Sequence, residues 1–163
     1  MAIRLRPLRD DELGRFIEHG KADYARDMVE NAGLTPEQAQ KKSDSDWSKL
    51  LPKGRAPKGH YLFAVEDDET GDRVGDLWFA ERTNDFDSTV AFVYSIEISE
   101  QFRGRGFGKQ AMLRLEDEVR ALGLSHVALN VFGGNRVARS LYRSLGYDET
   151  AVWMRKRISE TPD

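Results

Sequence analysis

Seven consecutive positions near the middle of the chain combine three glycines with three basic side chains. They lie between an apolar run typical of a strand and an amphipathic run typical of a helix. The first N–H groups of a helix have no partner within it and attract anions, and glycines let a phosphate approach the backbone. The pattern therefore predicts a pyrophosphate-binding turn, formed by Arg103, Gly104, Arg105, Gly106, Gly108 and Lys109. A glycine-rich connector with solvated cations is the alternative interpretation.

Two common phosphate-binding motifs fit this turn poorly. A Walker A loop needs glycine where Arg103 stands and serine or threonine where Gln110 stands, so the sequence excludes it. A Rossmann fingerprint survives in the loose form Gly106, Gly108 and Ala111, but the acidic ribose ligand expected about 20 residues later is missing. A dinucleotide site therefore stays open only as a weaker alternative.

The segments on either side of this turn predict a mixed α/β domain. Apolar alternation indicates strands, and an apolar period of 3.6 residues indicates helices. Asp10, Thr35 and Asn135 stand where helix N-caps are expected, and Gly123 and Gly146 stand where helices should stop. The predicted order is β-α-α-β-β-β-α-β-α-β, with strands at 2–8, 61–67, 73–82, 89–99, 125–131 and 147–158, and helices after Asp10, after Thr35, at 109–123 and at 135–146.

Two motifs on successive helices make the chain resemble the GNAT superfamily of acyl-CoA-dependent N-acetyltransferases. The family signature, Arg/Gln-x-x-Gly-x-Gly/Ala between the fourth strand and the following helix, is matched by Arg103, Gly106 and Gly108. A later pattern of the family is matched by Asn135, Ala138, Leu141, Tyr142, Gly146 and Tyr147. The resemblance covers nearly the whole chain, although residues 20–60 fit only as the variable helical pair that shapes the acceptor pocket. It implies a GNAT-like α/β fold with splayed central strands.

The resemblance also implies acetyl-CoA as the cosubstrate and indicates where it would bind. In this family the glycine-rich turn wraps the CoA pyrophosphate, and main-chain groups of the preceding strand pair with the pantetheine arm. The cosubstrate lies between two strands that splay apart, here residues 93–99 and 125–131. The asparagine that caps the later helix would also contact the pantetheine amide. Beyond the turn, the expected cosubstrate contacts are Ile96, Ile98, Asn135, Ala138 and Tyr142.

Acyl transfer to an amine sets three chemical requirements. The amine must lose a proton, because a lysine side chain titrates near ~10.4 and an α-amino group near ~8. The tetrahedral oxyanion needs hydrogen-bond donors, and the departing CoA thiolate benefits from a proton. The chain contains no cysteine that could carry an acyl group, so we expect direct attack in a ternary complex.

Tyr142 and Glu97 are the residues expected to move these protons. Tyr142 resembles the general acid in the family's Leu-Tyr pair, and a phenol pKa of about 10 keeps it protonated at neutral pH. A core aromatic is the alternative role for this tyrosine. Glu97 interrupts an apolar strand near the expected splay and is predicted to share a strand face with Val93 and Ser95, which suits a general base. A solvated glutamate at a strand end is the alternative there.

Other candidates for the base remain open. Some relatives carry the base on the next strand, but Asn130 occupies that position here and cannot accept the proton. Glu66 and Glu81, near the ends of earlier strands, are further candidates, as is a water relay. The missing base at position 130 also leaves a non-catalytic CoA-binding sensor with the same fold as an alternative to the enzyme.

Composition narrows the partners and the setting. The 163 residues include 25 Lys and Arg against 28 Asp and Glu, so the chain lacks the overall positive field that non-specific nucleic-acid binding needs. The charged N-terminal segment has no apolar stretch, so we expect neither a signal peptide nor a membrane anchor and infer a cytoplasmic protein. No repeat or linker-like tract divides the chain, which favours a single N-acetyltransferase domain over residues 1–163.

The expected acceptor is a small-molecule or peptide amine of unspecified identity. Relatives often dimerise, so a homodimer is among the expected assemblies. His19, His60 and His126 are scattered without metal-ligand spacing, and we therefore expect no metal site. Trp47 and Leu51, at helical spacing, are predicted to belong to the core or to the wall of the substrate pocket.

Overall fold

The computed structural model describes residues 2–83 and 88–160, which form a five-stranded sheet and four helices. The elements are β1 (Ile3–Pro7), α1 (Asp10–Ala32), α2 (Pro36–Leu50), β2 (His60–Asp67), β3 (Arg73–Thr83), β4 (Thr89–Ile98), α3 (Phe107–Ala121), β5 (Val127–Leu129) and α4 (Arg136–Ser144), with 3₁₀ turns at Pro52–Gly54 and Glu100–Phe102. The order agrees with the prediction as far as α4. Of the turn predicted before β4, residues 84–87 lie outside the described residues.

The sheet is mixed, as the predicted element order requires. β1 to β4 are antiparallel neighbours in chain order, and β5 pairs parallel to β4 at the edge. A parallel neighbour needs a crossover connection, and α3 provides it between β4 and β5. Across the described ranges, every helix is too short or too polar to cross a lipid bilayer.

Helices cover both faces of the sheet. On one face α3 buries Phe107 and Leu115 against strand residues that include Phe79. On the other face α1 and α2 cover Trp78, whose ring centroid lies 5.0 Å from that of Trp47. Trp47 is only 5% exposed, so it belongs to the core, which is one of its two predicted roles. Burial of these apolar surfaces on both faces supplies the main driving force for folding.

Two of the three predicted helix caps are present. The Thr35 hydroxyl accepts a backbone N–H of α2 at 3.2 Å, and the Asn135 carboxamide accepts one of α4 at 3.1 Å. The prediction for Asp10 is wrong, because this residue is already helical and Arg9 is the N-cap. The Arg9 backbone N–H donates to Glu12 Oε1 at 3.0 Å, so a carboxylate in the first turn supplies the acceptor instead.

One extra residue in β4 changes the face that its far end presents. Ser95 lies opposite Trp78, whereas Val93 lies opposite the next residue of β3, so Tyr94 forms a β-bulge. Val93 packs into the core beneath α3, and Glu97 faces α1 on the other side of the sheet. The predicted common face of Val93 and Glu97 is therefore wrong, because the bulge reverses the alternation between them. Ser95 and Glu97 do share a face.

The strand predicted at 147–158 is wrong. Residues 148–160 are neither helix nor strand, and they leave large apolar side chains exposed: Val152, Trp153, Met154 and Ile158. The apolar pattern suits a strand, but β5 is only three residues long and offers a short edge for pairing. Side-chain contacts instead join the segment to helices. Glu149 accepts hydrogen bonds from two α4 arginines at 2.7 and 2.8 Å, and Arg155 donates to the last carbonyl of α1 at 3.4 Å.

Candidate active site

The glycine-rich turn lies between the end of β4 and the first turn of α3, where the sequence predicts it. Gly104 and Gly106 adopt left-handed conformations with φ of 75° and 86°, which are unfavourable for residues other than glycine. A Cβ added at either position would meet no atom within 4 Å. Gly106 is also the N-cap of α3 and has no side chain to satisfy the first N–H groups of the helix. Open space beside such donors suits a phosphate.

The basic residues of the turn have different surroundings. Arg103 Nε donates to the Ile98 carbonyl at 2.8 Å, so this side chain fastens the turn to the end of β4. The Arg105 guanidinium lies over the Phe107 ring, 5.0 Å from its centroid. Lys109 is exposed in the first turn of α3. Arg105 and Lys109 thus add positive charge at the surface of the turn, whereas Arg103 also holds its shape.

β4 continues beyond its parallel partner. Pairing with β5 ends at Val93 opposite Leu129, although β4 itself runs on to Ile98. The Ser99 N–H donates to a β3 carbonyl at 2.8 Å, and main-chain groups alternate along a strand, so those of Ile96 point toward the open edge. Within the described ranges, no strand pairs with β4 beyond Val93 on the edge that β5 occupies earlier. This unpaired stretch is what the predicted splay of the two strands requires.

α4 lies against the other side of the turn. A Cβ added at Gly108 would be 3.5 Å from Leu141 Cδ2 and 3.8 Å from Ile98 Cγ1, so the end of β4, the turn and α4 meet at this glycine. Tyr142 is half-buried, with its ring centroid 5.8 Å from that of Tyr147. Burial raises the pKa of the Tyr142 phenol, which keeps the hydroxyl protonated at neutral pH.

Glu97 lies beside two α1 side chains to which the sequence analysis gives no site role. His19 Nε2 is 3.2 Å from Asp23 Oδ2 and 3.6 Å from Glu97 Oε2. On its other side, Glu97 Oε1 is 3.4 Å from the Arg103 guanidinium. The only sequence signal for this group is the spacing of His19 and Asp23, which places both on one side of a helix. That spacing does not reveal that this side faces β4.

Burial, together with nearby carboxylates, raises the pKa of the Glu97 carboxyl to about 8. The side chain is 23% exposed, and loss of hydration penalises the charged form of a carboxyl. Asp23 contributes to this rise through the hydrogen bond that it would accept from the protonated carboxyl and through repulsion, and Asp76 adds repulsion, while Arg103 opposes them. A carboxyl with a pKa near neutrality suits general base catalysis.

The other candidate bases lie elsewhere. Glu66 accepts hydrogen bonds from two β1 arginines at 2.9 Å each, and the bond from Arg6 lowers the pKa of Glu66. Glu81 is exposed and lies five positions along β3 from the residue opposite Glu97. Asn130 is exposed just beyond β5. The geometry therefore favours Glu97 over Glu66 and Glu81.

The three histidines have separate environments. His60 Nδ1 accepts a hydrogen bond from Trp78 Nε1 at 3.0 Å, and His126 contacts Ser125 at 2.9 Å. In the part of the chain that the structure describes, only His19 lies in a group of carboxylates, with the donor atoms of all three members within 4.8 Å of one another. Arg103 already places a cation beside the group formed by His19, Asp23 and Glu97. We therefore interpret this group as a proton-binding site. The expected absence of a metal stays a prediction.

Comparisons with known proteins identify the family of the chain and several relatives. Residues 23–147 match the family described as the acetyltransferase (GNAT) family. The chain is 33% identical to YycN of Bacillus subtilis (strain 168), named an uncharacterized N-acetyltransferase, over 97% of this chain and 100% of YycN. It is 31% identical to YdgE of the same organism, which carries the same description, over 97% and 99%.

Solved structures show the same architecture. The crystal structure of YycN superposes with a TM-score of 0.89 at 32% identity, covering 98% of this chain and 100% of YycN. The fold of AAC(6')-Iy, solved with the bisubstrate analog CoA-S-monomethyl-acetylneamine, matches with a TM-score of 0.61 at 20% identity, over 96% and 99% of the two chains.

Proposed function

The chain belongs to the acetyltransferase (GNAT) family and is an N-acetyltransferase, and we propose that it transfers an acetyl group from acetyl-CoA to a primary amine by direct attack in a ternary complex. We further propose that one domain, residues 1–163, carries the whole reaction. Its relatives are named as N-acetyltransferases, which gives the alternative of a non-catalytic sensor no support.

One observation carries the proposal: the end of β4 supplies both a binding edge and a buried carboxyl. The main chain of Ile96 lies at the open edge, and the side chain of Glu97 lies on the α1 face. The turn at Gly104 and Gly106 follows a few residues later, with room for a phosphate beside the N-terminus of α3. A thioester held by this turn and edge would therefore share a strand with the proposed base.

The residues proposed to hold acetyl-CoA fall into two groups. The turn, with Arg105 and Lys109 at its surface, would bind the pyrophosphate through backbone N–H groups and positive charge. Main-chain groups at the open edge of β4 would pair with the pantetheine arm. The main-chain N–H and carbonyl of Ile96 point toward this open edge. The Ile98 carbonyl already accepts a hydrogen bond from Arg103. Contacts from Asn135, Ala138 and Tyr142 of the α4 segment are proposed from the family motif.

The proposed proton transfers balance the reaction. The Glu97 carboxylate accepts one proton from the ammonium form of the acceptor, and the neutral amine attacks the acetyl carbonyl. When the tetrahedral intermediate collapses, the C–S bond breaks and the Tyr142 hydroxyl protonates the departing thiolate. The second proton lost by the nitrogen restores the phenol. The products are an amide, CoA and one proton, which must leave the protein in each turnover.

The proposed acceptor is an amine on a small molecule or on a peptide, as in other members of the family. A screen of acetyl-CoA against a panel of polyamines, aminoglycosides, amino acids and peptide amines tests the proposal. Thiol release reports turnover, and mass spectrometry reports the acetylated product. We expect at least one amine to give both signals. Thiol release at the same rate with and without every amine, and no acetylated product, would overturn the proposed function.

A further inference from the structure

His19 and Asp23 have no part in the transfer steps described above, yet both lie against Glu97. Arg26 donates to Asp23 Oδ1 at 3.0 Å, so one oxygen of this carboxylate is anchored on α1. The other oxygen, Oδ2, is buried and has no hydrogen-bond partner among the described residues. His19 Nε2 is 3.2 Å from it but is not aligned as a donor. The structure therefore leaves a buried acceptor directed toward the Glu97 group.

A proton on Glu97 would satisfy this acceptor. A buried carboxylate oxygen without a donor is costly, and two carboxyls at close range favour binding one proton between them over both being ionised. The oxygens of Asp23 and Glu97 that face each other lie within 4.8 Å. The charged and titratable groups that face Glu97 are Asp23 and His19 from α1, Asp76 from β3 and Arg103 from the turn.

We propose that Asp23 and Glu97 share one proton and that His19 passes it to solvent, so that the three side chains form a proton relay for acetyl transfer. The relay rests on the proposed function, because the proton it carries comes from the acceptor ammonium. Exposure supports the direction of transfer: the side chain of His19 is 57% exposed, against 17% for Asp23 and 23% for Glu97. An imidazole can accept a proton on one nitrogen and release one from the other.

Each transfer conserves atoms and charge. An N–H bond of the ammonium breaks, and its proton binds a Glu97 oxygen, where Asp23 Oδ2 accepts the resulting hydrogen bond. The proton then passes to His19 Nε2, and the imidazole releases a proton to water and becomes neutral again. Glu97 is left ionised for the next turnover. No oxidant, reductant or metal ion takes part.

A kinetic experiment tests the role of His19 with the best amine from the screen. We expect His19→Gln to lower kcat about tenfold, which is less than the 10²–10⁴ that a general base contributes, and to leave KM for acetyl-CoA unchanged. Added imidazole at constant pH and ionic strength should restore the lost kcat, because a soluble base replaces the side chain. His126→Gln is the matched control, since His126 lies near the far end of β4, about 20 Å away along the strand. An unchanged kcat in His19→Gln, or a loss that imidazole does not restore, would overturn the relay.

A second experiment follows the shared proton without catalysis. Carboxyl ¹³C NMR, assigned with Glu97→Gln, should show Glu97 titrating far above the ordinary glutamate range, and Asp23→Asn should lower this midpoint. An ordinary acidic midpoint, or one that Asp23→Asn leaves in place, would overturn the sharing. If no amine is acetylated by the wild-type protein, the proposed function fails and the relay role fails with it, while this titration still decides whether Asp23 and Glu97 share a proton.

Discussion

Glu97 owes its proposed chemistry to its neighbours more than to its position in the sequence. A glutamate near a strand end is ordinarily hydrated and ionised at neutral pH. Here α1 covers the carboxyl, and Asp23 and Asp76 add negative charge that Arg103 only partly offsets. These surroundings therefore raise the pKa of the Glu97 carboxyl from 4.5 to about 8. The same residue type at Glu66, paired with arginines, has its pKa lowered instead.

Replacing Glu97 by Gln should lower kcat/KM by roughly 10²–10⁴ at neutral pH, because the amine then has no positioned base. The deficit should shrink toward pH 10, where the amine loses its proton unaided. Wild-type kcat/KM should rise with pH and level off above about 8, as the carboxyl ionises. Initial rates across pH measure both profiles. A Glu97→Gln profile that coincides with wild type would remove Glu97 from the mechanism.

The same substitution has a second expected effect, on stability. A carboxyl whose pKa is raised on folding stabilises the fold when protonated, so stability is lost as pH rises from about 4.5 to about 8. The Glu97→Gln variant does not lose stability in this way as pH rises, because its amide does not titrate. The amide can also donate to the buried Asp23 oxygen at every pH. Its Tm relative to wild type should therefore increase between pH 5 and pH 8. A constant Tm difference would contradict the raised pKa.

Replacing Tyr142 by Phe keeps the ring and removes only the hydroxyl, so it tests the acid role. We expect turnover to fall by roughly 10²–10⁴ while the affinity for CoA, measured by calorimetry, stays within a factor of two or so. Tyr147→Phe is the matched control, because its ring lies 5.8 Å from that of Tyr142 and its hydroxyl contacts Glu116 at 3.4 Å. Equal activity of Tyr142→Phe and Tyr147→Phe would show that the Tyr142 hydroxyl is not the acid.

At the scale of elements, the packing of α1 on α2 depends on a glycine within a helix. A Cβ at Gly20 would lie 2.0 Å from the Trp47 ring, whereas a Cβ at Gly14 would meet nothing within 4 Å. Gly14→Ala should therefore stabilise the fold by about 0.5–1 kcal/mol through helix propensity. Gly20→Ala should destabilise it by about 1–3 kcal/mol, because the buried indole must move. Urea unfolding measures both, and stabilisation by Gly20→Ala would contradict this packing.

The turn before α3 permits a similar paired test. Gly106→Val places a branched side chain in the left-handed region and in the proposed phosphate path, so the rise in Tm that CoA causes in wild type should disappear. Gly123→Val is the control, since Gly123 has φ of 78° and free space at the other end of α3. Both variants carry the same backbone strain. A CoA response that both variants retain would place the pyrophosphate elsewhere.

The sequence predicts the elements better than it predicts their contacts. Caps at Thr35 and Asn135, and the turn before α3, are local patterns, and the structure contains all three. The bulge at Tyr94 depends on how β4 pairs with β3, which periodicity does not report. For the same reason the sequence does not place Asp23 beside Glu97, because that contact joins two elements far apart in the chain. The strand predicted at 147–158 fails because strand formation also needs a partner edge.

At the scale of the whole molecule, the central claim is direct acetyl transfer from acetyl-CoA to an amine. The chain has no cysteine that could carry the acetyl group, and its net charge is −3. Its proposed anion-binding turn and its proposed proton-accepting group lie together at one end of β4. In the proposed mechanism both substrates are bound together when the reaction occurs. This requirement separates direct transfer from a mechanism in which the protein itself carries the acetyl group.

The most direct test measures initial rates while the concentrations of acetyl-CoA and of the best amine are varied together. We expect double-reciprocal lines that intersect, with one CoA released for each acetylated amine detected by mass spectrometry. Parallel lines would indicate an acyl-enzyme and contradict direct attack. CoA release without acetylated amine would contradict the account as a whole.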